Sequence, residues 1–168
     1  MLFRSLAMEG LDPPTKAHAY NVLSGSFAST FDQVKWLSKG IENWPYEISS
    51  YYNRANQYKV LGQRQKAAAD RAKVDTLNKA HVLFEESKLA KDPAKAVRLA
   101  QEACQLTNYG YYLYVESLAN AHYRNGNHAE AVRWGEKAWK LVESWPEVAT
   151  KSRLASNLHY YRKAAAEK

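Results

Sequence analysis

The sequence predicts an all-α protein built as a stack of antiparallel helix hairpins, and three observations carry that expectation. Breakers are scarce, with seven glycines and five prolines in 168 residues, while the residues that lose least on entering a helix, Ala, Leu, Lys, Glu and Gln, are plentiful. Small residues recur at matched intervals: Ala55, Gly62, Ala67 and Val74 are separated by seven, five and seven residues, and Ala119, Gly126, Ala131 and Ala138 repeat those steps. The surrounding text superposes without a gap, YYNRANQYKVLGQRQKAAADRAKV at 51–74 on VESLANAHYRNGNHAEAVRWGEKA at 115–138. Self-similarity of this kind marks stacked supersecondary units, each unable to bury its apolar face alone.

The elements follow in order. A first hairpin over about residues 14–45 pairs a helix from Pro14 to Leu23 with FDQVKWLSKGIENWP, in which Val34 and Ile41 show the seven-residue step and Pro45 closes the helix. A second occupies about 47–74, with Tyr51, Ala55 and Tyr58 on one helical face. A third, about 75–107, joins Asp75–Ala90 to PAKAVRLAQEACQL, where Ala96 and Ala103 repeat the step. The fourth covers about 109–142, and an amphipathic segment over 146–166 caps the stack. The anchors 34, 67, 96 and 131 stand 33, 29 and 35 residues apart, so one unit is shortened. All of this fits a single domain of 168 residues.

Start signals agree with that parsing. Thr30 with Gln33, Asn127 with Glu130 and Ser144 with Glu147 have capping-box spacing, and Asp92 before Pro93 pairs an N-cap with proline at the first helical position. Gly62 and Gly126 fall just past the first helix of their hairpins, where a left-handed residue ends a helix without a side-chain clash. Small residues at 55, 67, 119 and 131 let two helices cross closely while Leu and Tyr rows fill the grooves beside them.

Composition narrows the function. A formal charge of +7 permits contact with nucleic acid or another polyanion, but the densest basic run, Lys59, Arg64, Lys66, Arg71 and Lys73, is interrupted by Asp70 and reads as a solvated helix face. The single cysteine, Cys104, sits in an alanine-rich stretch and reads as a packing residue, in keeping with a cytoplasmic protein or a soluble domain of a larger one. No segment has the length and apolarity of a membrane span, and Arg4 and Glu9 interrupt Met1–Leu11, unlike a secretory signal. The five histidines, His18, His81, His122, His128 and His159, have no metal-ligand spacing, and nucleotide-binding and nucleophile-elbow glycine motifs are absent. Glu85 and Glu86 are adjacent and diverge on a helix. The expectation is a non-enzymatic chain without metal or cofactor. Twelve tyrosines and five tryptophans serve mainly the core, with the remainder suited to an interface.

Leu61-Gly62, Asn125-Gly126 and the small residues Ala55, Ala67, Ala119, Ala131 and Ala138 together resemble the tetratricopeptide repeat, over about Pro14 to Val142. Arg71 and Gly135 depart from it, standing where that family carries a bulky or aromatic side chain. The resemblance implies a right-handed superhelical stack of three to four repeats with a C-terminal capping helix. It also implies a concave groove, lined by the first helix of every hairpin, that receives a protein or peptide partner. Carried over place by place, the groove candidates are Tyr52, Asn53, Asn56 and Lys59; then His81, Glu85 and Lys88; then Glu116, Asn120, Tyr123 and Arg124. An asparagine amide suits a peptide backbone because it donates and accepts at once. Asn53 in YYNRA resembles the asparagine of the carboxylate clamp known in that family, but the matching basic places hold Ala19, Asn78 and Val82, so a complete clamp is not expected. Two other readings remain: a polyanion-binding basic face, and self-assembly by stacking of open ends.

Overall fold

The structure, a computed structural model, describes residues 8–167; most of Met1–Leu11, read above as unlike a signal, lies outside them. Within the described residues the chain is all-α, without a strand. The helices are α1 (Pro13–Ser24), α2 (Thr30–Asn43), α3 (Ile48–Val60), α4 (Arg64–Leu89), α5 (Pro93–Leu106), α6 (Tyr112–Arg124), α7 (His128–Val142) and α8 (Val148–Ala166). Within the units α1 packs on α2 and α2 on α3, and α5 packs on α6, α6 on α7 and α7 on α8, as short connections require. No helix among the described residues is long and apolar enough to cross a membrane.

The boundary expected between Val74 and Asp75 is absent. α4 runs as one helix of 26 residues from Arg64 to Leu89, through the places assigned to the end of the second hairpin and the start of the third. The reason is local. No glycine or proline lies between Arg64 and Leu89, and the Thr76 hydroxyl, a potential cap for a new helix, donates back to the Ala72 carbonyl at 2.9 Å inside the existing one. The chain divides into two compact units, the first ending at Asn78 and the second beginning at Lys79.

In the first unit Tyr51, Val74 and Leu77 form a buried cluster against Ile41, Tyr46 and Ile48. The first hairpin's close approach is made by Ala17 and Gly40, not by Val34 and Ile41, which are only half-buried. A Cβ at Gly40 would lie 3.1 Å from the Ala17 carbonyl oxygen. Trp36 lies between Tyr20 and Phe27, with ring centroids 5.5 and 5.6 Å away. Between α3 and α4, Arg54 makes a two-pronged ion pair with Asp70, both contacts 2.8 Å, and also donates to Ser38 at 3.0 Å.

The second unit buries Val115, Leu118 and Val142 completely. Cys104 is buried with them, and burial pushes its thiol up to about 12, so it stays protonated and behaves as a small apolar side chain. All the alanines predicted for the crossings, Ala55, Ala67, Ala96, Ala103, Ala119, Ala131 and Ala138, are buried. Gly62 and Gly126 adopt φ +71° and +75° as expected, conformations that an L side chain resists. Capping follows the prediction at Asp92, which accepts from the Ala94 N–H at 3.0 Å. It shifts elsewhere: Ser29 rather than Thr30 caps α2, Glu147 itself caps α8, and Asn127 makes no side-chain cap bond.

Candidate partner-binding cavity

The second unit encloses an open cavity of about 440 Å³ between the C-terminal end of α4, α6 and α8. Helical spacing brings its walls together. α4 supplies Phe84, Ser87 and Lys88, three and four residues apart; α6 supplies Leu113, Glu116, Ser117, Asn120, Ala121 and Arg124 along one stripe; α8 supplies Arg153 and Asn157, one turn apart. At the base, Phe84 packs on Tyr114 with ring centroids 4.9 Å apart. The Ser87 hydroxyl donates to the Phe84 carbonyl at 2.7 Å and lies 3.1 Å from the Ser117 hydroxyl.

The one carboxylate in the wall is committed. Glu116 is only 9% exposed. It accepts from the Arg153 guanidinium and, at 2.9 Å, from the Asn157 amide, and that hydrogen bond raises the Arg153 pKa above its ordinary value. At the rim Lys88 contacts Glu85 at 3.0 Å, and the Arg124 guanidinium donates to the Ala90 carbonyl at 2.7 Å. Asn120 is exposed and lines the cavity, with no hydrogen-bond partner among the described residues. The wall thus holds three cations and one neutralised acid around an unoccupied amide.

Of the eleven residues predicted to line a groove, four converge here: Lys88, Glu116, Asn120 and Arg124. Glu85 stands beside the rim through its pair with Lys88, and His81 is exposed with its ring 6.2 Å from that of Phe84; neither lines the cavity. Tyr123 turns away, because its ring packs between those of His128 at 5.4 Å and Tyr161 at 5.3 Å. The remaining four belong to the first unit and do not form one surface there. Asn53 donates to the Asn21 side chain of α1 at 2.9 Å, whereas Tyr52 and Asn56 face Arg71 of α4, whose guanidinium lies 4.4 Å from the Tyr52 ring and donates to Asn56 at 2.6 Å. Lys59 is exposed. Sequence reasoning missed Arg153 and Asn157, treated only as parts of a cap; the signal was their four-residue spacing with a buried acid at 116 awaiting a partner.

Among the described residues no three of His, Cys, Asp and Glu gather as a metal site. No protein-family description and no curated protein matches the chain. Among solved structures, the crystal structure of MamA is similar at 17% identity, over 83% of this chain and 85% of that one, with a TM-score of 0.39. An agreement of that size leaves the fold to rest on the helices themselves: the described residues are all-α, with neighbouring helices packed on one another within each unit.

Proposed function

We propose that this chain is a protein-interaction module of the tetratricopeptide type, and that it holds an extended segment of a partner protein in the cavity bounded by α4, α6 and α8. The observation that carries the reading is Asn120, an exposed amide in a concave wall with no hydrogen-bond partner among the described residues, flanked by Lys88 and Arg124. An amide so placed can donate to a peptide carbonyl and accept from a peptide N–H. The cations on either side favour a segment with acidic side chains, since Glu116 is already neutralised by Arg153.

Affinity capture with the purified chain tests this. Asn120→Ala and Arg124→Ala are each expected to reduce captured partner by about tenfold, in line with a lost hydrogen bond to a desolvated polar group, whereas Asn56→Ala, on the matched place of the first unit, leaves capture unchanged. Full retention of every partner by the Asn120 and Arg124 variants rejects the cavity as the binding site.

A further inference from the structure

α6–α7 and α3–α4 are matched hairpins with different neighbours. On α6–α7, α8 covers one face: a Cβ built on Gly135 would lie 3.1 Å from Tyr161 and 3.2 Å from Leu158. Arg71 holds the matched place in α4, and the face around it is open. Tyr52 is 46% and Val60 72% exposed, and Ala68 and Ala72 are exposed beside them. Arg71 has no carboxylate partner among the described residues, and its Nε is buried without an acceptor. The guanidinium donates to Asn56 and lies on Tyr52, but no carboxylate balances its charge in the middle of this small-residue helix face. What covers such a face elsewhere in this chain is the helix that follows the hairpin. After residue 74 that helix would be Asp75–Leu89, but it is continuous with the first half of α4 and cannot turn back onto it while α4 stays whole.

We propose that the α3–α4 face is a self-association surface whose occupant is the outer stripe of α4 from a second copy of the chain. The stripe is Val82, Glu86 and Leu89, spaced four and three residues apart on one side of the helix. Val82 and Leu89 are 55% and 80% exposed, and Glu86 is exposed without an ion pair among the described residues. An acid between two apolar side chains complements Arg71, which lies on the exposed Tyr52, and Ala68 and Ala72 let the incoming helix approach closely. Lys59 and Arg64 are exposed cations where α3 ends and α4 begins. Where α8 sets Leu158 and Tyr161 over a glycine, the incoming helix sets Glu86 over the arginine. Every copy holds both faces, so the contact is one between copies of the same chain.

Sedimentation velocity from low micromolar to near-millimolar protein tests the pairing. The native chain is expected to associate with rising concentration. Arg71→Glu and Glu86→Arg, both surface changes checked for helix content by circular dichroism, each weaken association by about tenfold or more, and Leu89→Ser weakens it through the apolar contact. An equimolar mixture of Arg71→Glu and Glu86→Arg chains recovers native association, because each joint then pairs opposite charges across copies. A chain that stays monomeric throughout, single variants that associate like the native chain, or a mixture that fails to recover overturns the proposal. Recovery only when both changes sit in one chain shows instead that residues 75–89 fold onto their own hairpin, and overturns it equally.

Discussion

Hairpins α3–α4 and α6–α7 share their turn glycine, their crossing alanines and their spacing, yet they solve the same packing problem with different chemistry. In α6–α7 the matched interior places hold Leu118 and Trp134; in α3–α4 they hold Arg54 and Asp70, which pair at 2.8 Å. Position 135 is a glycine pressed by α8, and position 71 an arginine lying on Tyr52. The backbone unit is therefore set by the small residues at the crossing, and the outward places decide whether another helix of the same chain lies on top. One hairpin is finished internally; the other keeps a polar, open face.

The sharpest way to break this comparison is to exchange the deciding residues. Gly135→Arg puts a cation beneath Leu158 and Tyr161 and is expected to destabilise the second unit by about 3 kcal/mol or more, through an unpaired buried charge and a displaced α8. The reverse change, Arg71→Gly, should cost only about 1 kcal/mol, the helix propensity of glycine. Equal losses in urea denaturation would remove the distinction between the faces. Next in size is the interior pair. Asp70→Ala strands Arg54 and should cost about 2–3 kcal/mol, while Arg54→Leu combined with Asp70→Leu, closer to the apolar solution of the other hairpin, should recover most of it in a double-mutant cycle.

Ala67→Leu and Ala131→Leu should lower stability alike, by about 1–3 kcal/mol each through overpacking; a melting temperature unchanged by either substitution would show that the shared crossing is not shared. The smallest difference is a pH effect. His122 stands where α3–α4 has Tyr58, and burial lowers its pKa below the ordinary 6.5. The fold therefore favours the neutral ring, the unfolded chain takes up the proton first, and stability is lost as pH falls from 6.5 toward the lower folded value. His122→Tyr should flatten that slope, and NMR titration of the ring should give a midpoint below 6.5.

Much of this was legible in the residues because crossing alanines and turn glycines act locally, and Ala55, Ala67, Ala119, Ala131, Gly62 and Gly126 stand where their spacing placed them. The 74/75 boundary was not legible in the same way. Repeat spacing demands a turn there, but helix continuity is decided by the absence of a breaker and by Thr76 bonding backward to Ala72. The first hairpin hid its register because Ala17 and Gly40, not a seven-residue pair, make the contact. The cavity was half visible: Lys88, Glu116, Asn120 and Arg124 follow from matched places. Arg153 and Asn157 come from a helix outside the repeat, and Tyr123 is drawn away by aromatic neighbours that periodicity does not register.

The contrast between a covered and an open hairpin depends on α4 being one uninterrupted helix, and amide hydrogen exchange resolved by NMR across residues 70–80 tests that directly. Slow exchange at every amide from Lys73 to Asn78 is the expected result, since each would donate to a carbonyl one turn earlier. Two or three consecutive fast-exchanging amides around Val74 to Leu77 would place a turn there, return Asp75–Leu89 to the role of a separate helix, and contradict the account.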